Sequence, residues 1–419
     1  MNIYFAGTGG VGIGPLAEIA GDAGHYVAGS DTASNPVTRQ LEAKGVTISS
    51  IQDGSFIEQI NRDHPLDWFI YTAAMPQDHP ELVKARALGI KTGKRDELIS
   101  EIIREHNLKL IAIAGTHGKT TTTGMLVWVF KQLGIPISYS VGSTLSFGPS
   151  GHFDAQAQYF VYECDEFDRN FLHFSPHLSL ITNVDYDHAD TYPTPANYLA
   201  AFQQFLDSSQ YTLMWQSDAL KGLQLHQAGA VLQSEEIQPL SLAGAHNRQN
   251  GTLVAHACEY LRAGDSITIT KALNAFPGTA RRFEQLGTGL YSDYGHHPTE
   301  IAATLQLARE LSDDITLVYQ PHQNTRQHQV IAQYTDCMTL AKKIYWLPTY
   351  LTRENPDLPV LTPQQLTQHL ANRSSVEYRD LNNQLWADIQ RARALGGLVV
   401  VMGAGTVDDW LRVQLAREP

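Results

Sequence analysis

Cysteine, basic charge and long apolar runs are all scarce in this chain of 419 residues. Its three cysteines, Cys164, Cys258 and Cys337, are too few and too far apart for a disulfide framework or a zinc ribbon, so we expect reduced, buried thiols. Lys and Arg number 30 against 43 Asp and Glu, and the net charge of −13 argues against a nucleic-acid partner, because basic side chains hold a polyanion. No apolar run approaches the roughly 18 residues of a membrane-spanning helix, and the start of the sequence lacks the features of a signal peptide. We therefore expect a cytoplasmic protein that does not insert into membranes.

The order of apolar and polar segments predicts three successive α/β domains. The first opens with the strand-like NIYFAG, a glycine turn, the helix-like GPLAEIAGDAGH and the strand-like YVAGSD. A charged helix-like stretch, RDELISEIIREHN, precedes the strand-like KLIAIAG, and the Pro-Gly pair of FPGTARRFE suggests a second connection. This alternation favours parallel sheets. We predict a Rossmann-like domain over residues 1–107, a central P-loop ATPase-type α/β domain over 108–277 and a C-terminal Rossmann-like domain over 278–419.

The strongest local motif is IAIAGTHGKTTTTGM, in which an apolar strand runs into a glycine loop and then into a helix. Backbone N–H groups of such a loop converge on an oxyanion, while Lys119 can reach terminal phosphates and Thr120 offers a hydroxyl to magnesium. The general pattern G-x-x-x-x-G-K-T would place a glycine at Ile113, so an ordinary turn between strand and helix is the alternative. We predict that the loop binds ATP, and that replacing Lys119 by alanine removes activity without affecting the fold. The predicted phosphate-binding residues are Gly115, Thr116, His117, Gly118, Lys119, Thr120 and Thr121.

Two groups of acidic side chains follow strand-like runs downstream of this loop. Carboxylates and imidazoles in such positions could hold magnesium on ATP oxygens, although any one of them alone is better explained as a solvated loop or helix-capping residue. Their position after a phosphate loop favours the metal. The residues are Glu163, Asp165, Glu166 and Asp168 in YECDEFD, and Asp185, Asp187, His188 and Asp190 in NVDYDHAD.

Three further motifs carry polar side chains suited to ligands. In LAGAHNRQN, Asn247 and Asn250 could cap a helix or donate to the edge of a base. In GTARRFE, Arg281 and Arg282 could bind phosphate oxygens bidentately or could simply be solvated. The third motif, DYGHHPTE, lies between a strand and a helix and gathers Asp293, Tyr294, His296 and His297.

The amino-terminal glycines allow a different function. Gly7, Gly9 and Gly12 satisfy G-x-G-x-x-G after a strand, and Asp31 ends the next strand, as in an NAD-dependent oxidoreductase. A UDP-sugar also brings a pyrophosphate to a helix amino terminus, so the glycines alone do not distinguish these ligands. A non-catalytic P-loop nucleotide binder is a third class, but it would need neither DYGHHPTE nor the paired arginines.

The compact G-T-x-G-K-T loop, the H-N-x-x-N segment and DYGHHPTE, in this order, resemble the Mur ligases of peptidoglycan synthesis. The segment GTGGVGIGPLAEIA is likewise more similar to the UDP-N-acetylmuramate-binding domain of that family than to dehydrogenases. The resemblance implies an ATP-dependent ligase that phosphorylates the carboxylate of UDP-N-acetylmuramate, after which an amino group attacks the acyl phosphate. It also implies the cofactor Mg²⁺, with Mn²⁺ as the alternative ion.

The same resemblance implies roles for particular residues. Thr120, Glu163 and His188 match the family's magnesium ligands, and Asn247 and Asp293 stand where nucleotide contacts are expected. The catalytic set is Lys119, Glu163, His188, Arg281 and Arg282. The remaining expected contacts are Gly7, Gly9, Gly10, Gly12 and Asp31 for the UDP-sugar, and Tyr294, His296 and Arg326 for the amino acid.

The segment VYQPHQNTRQHQ leaves the amino substrate open. Alanine-adding members of the family usually read Q-P-H-R-x-T-R, whereas this chain has Gln323 at the first arginine. Its Asn324-Thr325 pair is more similar to ligases that recycle tripeptides. The expected partners are UDP-N-acetylmuramate and either L-alanine or a short peptide, and the sequence does not distinguish a monomer from a dimer.

Overall fold

The computed structural model describes residues 1–10, 12–72, 75–189, 191–352 and 354–417. Three mainly parallel β-sheets with flanking helices form the framework, which confirms the predicted fold class. The chain packs into two compact units, one of Met1–Gln238 with Asn250–Phe276 and one of Pro239–Gln249 with Pro277–Pro419. The boundary predicted at residue 107 lies inside the first unit, and the three predicted domain ranges stay predictions.

The first sheet is fully parallel and has the strand order β3-β2-β1-β4-β5. With β1 in the middle, the glycine loop that follows β1 lies at the position where such sheets bind ligands. The strands are β1 (Asn2–Ala6), β2 (Tyr26–Ser30), β3 (Thr47–Ser49), β4 (Trp68–Ile70) and β5 (Lys91–Gly93). The helices are α1 (Ile13–Asp22), α2 (Pro36–Ala43), α3 (Ser55–Asp63), α4 (Pro80–Ala87) and α5 (Arg95–Glu105).

The second sheet has the order β12-β11-β10-β6-β9-β7-β8 and is parallel except for the short antiparallel pair β7–β8. Its central strand β6 lies between β9 and β10, so the loops after these three strands meet at one edge of the sheet. The strands are β6 (Lys109–Ala114), β7 (Ile137–Ser140), β8 (Gly151–His152), β9 (Tyr159–Glu163), β10 (Leu178–Ile181), β11 (Tyr211–Trp215) and β12 (Ala228–Leu232). The helices are α6 (Lys119–Gln132), α7 (Pro195–Ser208), α8 (Gln216–Ala219), α9 (Ala245–Tyr260) and α10 (Ser266–Asn274), with 3₁₀ turns at Phe167–His173 and Ser234–Glu236.

One apolar core joins the first two sheets, which explains why they form a single unit. It includes Ile3 and Phe5 of β1, Ile99 of α5, and Phe160 and Tyr162 of β9, all nearly inaccessible to solvent. The Tyr162 hydroxyl also donates to the carboxylate of Asp96 on α5. Burial of this much apolar surface is the dominant stabilising contribution between packed layers.

The third sheet belongs to the second unit and has the order β13-β14-β18-β15-β16-β17. Only β13 and β14 pair antiparallel, so the loops after β14, β18 and β15 meet at one edge. The strands are β13 (Glu284–Gly287), β14 (Leu290–Asp293), β15 (Ile315–Tyr319), β16 (Lys343–Trp346), β17 (Val376–Tyr378) and β18 (Leu398–Met402). The helices are α11 (Pro298–Leu311), α12 (Asn324–Val330), α13 (Pro363–Leu366), α14 (Asn383–Ala394) and α15 (Val407–Ala416), with 3₁₀ turns at Ile331–Tyr334 and Arg373–Ser375.

The three cysteines are free thiols, and one of them corrects the sequence-based prediction. Cys164 and Cys258 are buried as expected, but Cys337 is only partly buried. It follows the 3₁₀ turn at Ile331–Tyr334, and its thiol donates to the carbonyl of Tyr334 instead of packing fully inside the core. Among the described residues, every helix is too short or too polar to cross a membrane.

Candidate active site

The glycine loop after β6 is shaped by two glycines with positive φ. Gly115 has φ of +133° and Gly118 has φ of +83°, conformations that residues with a Cβ adopt only under strain. Gly118 is the N-cap of α6, so the first N–H groups of that helix point out of the loop without a side-chain cap. A Cβ on Gly118 would lie 3.0 Å from Nδ2 of Asn250, which places this asparagine against the loop. The predicted sequence of strand, glycine loop and helix is confirmed as structure.

Residues after β10 hold the loop in place. The N–H of His117 donates to Oδ1 of Asn183 at 3.0 Å, and Asn183 Nδ2 donates back to the His117 carbonyl at 2.8 Å. The hydroxyl of Thr182 donates to the same carbonyl at 2.6 Å. Thr116 Oγ1 accepts from the N–H of Asp185 at 2.8 Å. Asn183 and Thr182 were not identified from the sequence, because their polar groups stand in the apolar-looking run LSLITNV.

Lys119 is held by a carboxylate that the sequence did not distinguish from its acidic neighbours. Its Nζ donates to Glu166 Oε2 at 2.6 Å and to the carbonyls of Gly115 at 2.7 Å and Thr116 at 3.3 Å. Burial disfavours both charges, but each charge stabilises the other, so the pKa of Lys119 is raised and that of Glu166 is lowered. By contrast, burial and the neighbouring Glu166 raise the pKa of the Asp165 carboxyl. An ammonium group is thus held at the loop, where a terminal phosphate is expected.

Of the three predicted magnesium ligands, two contact each other and the third contacts a different carboxylate. Thr120 Oγ1 donates to Glu163 Oε1 at 2.8 Å, so these two lie together, and Glu163 Oε2 accepts from the N–H of Gly142 at 2.9 Å. His188 has its Nε2 3.5 Å from Glu166 Oε1, and its backbone has φ of +58°. Donor atoms of Asp165, Glu166 and His188 lie within 4.8 Å of one another. Asp190, from the same acidic segment, lies outside the described residues.

The amino-terminal glycines form a loop closed by the predicted acidic residue. The N–H of Gly9 donates to Asp31 Oδ2 at 2.7 Å, and Asn35 Nδ2 donates to the Gly9 carbonyl at 3.1 Å. Gly7 has φ of +82°, and Gly12 is the N-cap of α1 without a side-chain cap. Gly10, the remaining predicted contact, donates to the carbonyl of Gly7 at 3.0 Å. The loop therefore leaves the amino terminus of α1 open to an anion.

In the second unit, the structure brings the three predicted amino-acid contacts together. The rings of Tyr294 and His296 meet edge to face with centroids 5.7 Å apart, and the Arg326 guanidinium contacts His296 Nε2. Arg281 and Arg282 both lie over the Tyr294 ring, at 4.7 and 5.2 Å from its centroid. An aromatic ring and stacked guanidinium groups thus share one surface.

The remaining predicted residues of this unit contact other residues of the same unit. Arg281 donates to the carbonyl of Gly403 at 2.8 Å, and Arg282 lies 3.8 Å from Glu300. Asn247 uses its side-chain N–H on the carbonyl of Ala243 at 2.9 Å. Asp293 is buried and accepts from the N–H groups of Gly295 at 2.7 Å and Phe283 at 2.8 Å.

Asp293→Asn is expected to change the pH dependence of stability. Burial raises the pKa of the Asp293 carboxyl from 3.8 to about 6, so the folded chain retains a proton that the unfolded chain releases. The stabilising effect of that proton is complete below about pH 4 and is lost as the pH rises through about 6, which amounts to about 3 kcal/mol. In urea unfolding, the stability of the wild type should fall relative to Asp293→Asn over this range. A difference that does not vary with pH would contradict the assignment.

A glycine loop that opens a helix, a buried lysine–carboxylate pair and oxygen donors at the adjoining strand ends together define a nucleotide-dependent phosphoryl-transfer enzyme. Three family models match the chain in succession: "Mur ligase family, catalytic domain" over residues 2–107, "Mur ligase middle domain" over 113–232, and "Mur ligase, glutamate ligase domain" over 281–405. The chain belongs to the Mur ligase family, and it is an ATP-dependent ligase that forms amide bonds.

Individual relatives agree with this assignment. The UDP-N-acetylmuramate–L-alanine ligase of Thermosynechococcus vestitus is 30% identical over 97% of this chain and 93% of its own length. The solved UDP-N-acetylmuramate-alanine ligase of Thermotoga maritima superposes with a TM-score of 0.76 at 23% identity, over 100% of this chain and 99% of the other. A murein peptide ligase of Psychrobacter arcticus gives a TM-score of 0.67 at 24% identity, over 99% and 98% of the two chains. The oxidoreductase alternative is not favoured.

Proposed function

We propose that the protein uses ATP to join L-alanine to the carboxylate of UDP-N-acetylmuramate in peptidoglycan precursor synthesis. The observation that supports this most directly is the loop in which Glu166 holds Lys119 beside the open amino terminus of α6. The name of the relative that is 30% identical over nearly the whole chain supports the choice of substrates.

The reaction has two steps. An oxygen of the substrate carboxylate attacks the γ-phosphorus of ATP, and ADP leaves with the electron pair of the broken P–O bond. The amino nitrogen then attacks the acyl carbon, the bond to phosphate breaks, and the nitrogen loses a proton to give the amide, phosphate and ADP. Both steps require that negative charge on the phosphoryl group be offset and that water be kept from the acyl phosphate.

Lys119 supplies fixed positive charge for the first step. Its ammonium group now contacts Glu166 and two loop carbonyls, and an arriving phosphate takes over part of this coordination. The oxygen donors nearby fit a magnesium ion, since Thr120 offers a hydroxyl and Glu163 a carboxylate, and the resemblance to the family adds the imidazole of His188. When bound, the ion supplies charge that stabilises the transferring phosphoryl group.

Substrate binding is divided among the three predicted domains. The glycine loop of residues 1–107 binds the UDP-sugar pyrophosphate at α1, and residues 108–277 bind ATP. In residues 278–419, Arg326 holds the carboxylate of the amino substrate beside Tyr294 and His296. Asn247 and Asp293 contact the nucleotide, and Arg281 and Arg282 contribute positive charge.

A peptide is the second candidate for the amino substrate. Gln323 stands at the position of the family's first arginine. It is the N-cap residue of α12, has φ of +59° and makes no capping hydrogen bond with its side chain. The following Asn324 is committed to the loop that it packs against, since it donates to the Pro359 carbonyl at 3.1 Å and accepts from the N–H of Leu361 at 2.9 Å. Where relatives have an arginine, this chain thus has the neutral side chain of Gln323. A neutral side chain favours an amino substrate that carries less negative charge near this position.

Phosphate release with a panel of amino substrates distinguishes the candidates. With ATP, Mg²⁺ and UDP-N-acetylmuramate present, L-alanine is expected to give the highest kcat/KM, with glycine, L-serine and a tripeptide compared under the same conditions. A higher kcat/KM for the tripeptide would select the second candidate. Release that does not depend on UDP-N-acetylmuramate, or binding of NADH without ATP, would contradict both.

A further inference from the structure

Three potential metal ligands converge at a place in the first unit that the ligase reaction does not use. His25 immediately precedes β2, Glu105 is the last residue of α5, and His106 follows it. One donor atom from each lies within 4.8 Å of the others. The amino ends of β1 and β2 lie here, whereas the glycine loop follows the carboxyl end of β1, so the cluster is at the opposite edge of the sheet from the nucleotide-type loop.

Two imidazole nitrogens in this cluster are buried without a hydrogen bond. Nε2 of His25 and Nε2 of His106 have no hydrogen-bond partner among the described residues, and His25 as a whole is only 8% exposed. Buried polar atoms are nearly always hydrogen-bonded, so two such nitrogens within one cluster require an explanation, which the 3.4 Å contact of His25 Nε2 with Glu105 Oε2 supplies only in part. Nδ1 of His25 lies 3.1 Å from the amino group of Met1, which leaves Nε2 as the atom that faces Glu105.

The charge of the surroundings suits a cation. Glu105 brings a negative charge, with its Oε2 3.4 Å from His25 Nε2. The cluster also lies at the carboxyl end of α5, where the helix dipole favours positive charge.

We propose that His25, Glu105 and His106 form a binding site for zinc(II), distinct from the magnesium of the ATP site. Two imidazoles and a carboxylate are typical zinc ligands, whereas magnesium prefers an all-oxygen shell. Zinc bonds of about 2.0–2.1 Å place tetrahedral ligand atoms about 3.4 Å apart, a separation that His25 and Glu105 already have. His106 is partly exposed and offers the third donor atom, which lies within 4.8 Å of the other two.

A metal at this site would link two segments that are distant in sequence. It would fix the start of β2 to the chain that leaves α5 and enters β6 at Lys109. Such a link stabilises the folded chain because the unfolded chain does not present the same three ligands together.

Calorimetric titration of the full, nucleotide-free chain with zinc chloride tests the site. Other clusters can also bind zinc, so the variants His106→Ala and Glu105→Gln are compared with His188→Ala, which removes a ligand only from the cluster at the ATP loop. We expect both variants of the proposed site to lose one equivalent of zinc or to bind it at least about 10-fold more weakly, whereas His188→Ala retains it. Glu101→Gln, one turn earlier on α5, is the matched control and should bind as the wild type does.

Cobalt(II) provides a readout that does not depend on folding stability. Cobalt in a four-coordinate site with nitrogen ligands absorbs visible light strongly, while cobalt on exposed carboxylates does not. The wild type, Glu101→Gln and His188→Ala should show this absorption, and His106→Ala should lack it while giving an unchanged circular dichroism spectrum. Wild-type zinc stoichiometry and affinity in both Glu105→Gln and His106→Ala would overturn the proposal, as would equal cobalt spectra in all variants.

Discussion

Replacing Lys119 by alanine is expected to remove nearly all phosphate release and also to destabilise the protein. Removal of the ammonium group takes away fixed charge at the transferring phosphate, and a loss of about 10³-fold in kcat is expected. The sequence suggested that the fold would be unaffected, but the structure changes that expectation. Glu166, which is fully buried, would lose its closest cation. Breaking a buried ion pair costs about 3–5 kcal/mol, and the remaining contact with His188 places the expected loss at about 3 kcal/mol.

The double variant Lys119→Ala/Glu166→Gln separates the two effects. Glutamine removes the unpaired charge, so the free energy of unfolding in urea should recover most of what the single variant lost, while phosphate release stays at the level of the single variant. Appreciable turnover in Lys119→Ala would refute the catalytic role. Equal stability of the single and double variants would show that Glu166 does not depend on Lys119.

The sequence predicts the elements of this fold better than their arrangement. Strands such as β6 and β15 are buried along nearly their whole length, so they read as continuous apolar runs. Strand order is a different matter, because it depends on pairing between distant segments. Strand β6 pairs with β9 and β10 although β7 and β8 come earlier in the chain, and no local signal contains that information.

Site prediction is limited in the same way. Four acidic residues lie within six positions of one another, and local sequence does not indicate which of them faces Lys119. The turn after β9 decides which carboxylate contacts Lys119. Asp168 and Arg169 both have positive φ in this turn, and the side chain of Glu166 is buried. His188 is another example, since its backbone is left-handed and its ring lies beside Glu166, a pairing that local sequence does not indicate. Motifs therefore identify the loop, while the pairing of charges within it requires the folded chain.

Gly115→Ala is expected to disrupt the loop through contacts that cannot relax. With φ of +133°, a residue other than glycine is strained, and a Cβ would lie 2.2 Å from Thr182 Oγ1 and 2.7 Å from the carbonyl oxygen of Asn183. The hydroxyl can rotate, but the carbonyl belongs to the backbone. Because the Asn183 side chain holds His117 through two hydrogen bonds, moving this segment opens the loop. We expect ATP binding to weaken by about 10²-fold, because a displacement of the order of 1 Å is enough for such a loss.

Gly134→Ala is the matched control, just beyond the other end of the same helix. Its φ of +67° lies in the left-handed region, which a residue with a Cβ adopts at a modest cost, and no atom lies within 4 Å of the added methyl group. This variant should lose about 1 kcal/mol of stability and bind ATP as the wild type does. If both variants weakened ATP binding equally, a general loss of stability in α6 would account for the effect. Wild-type ATP affinity in Gly115→Ala would instead show that the nucleotide does not require the loop to be closed against Asn183.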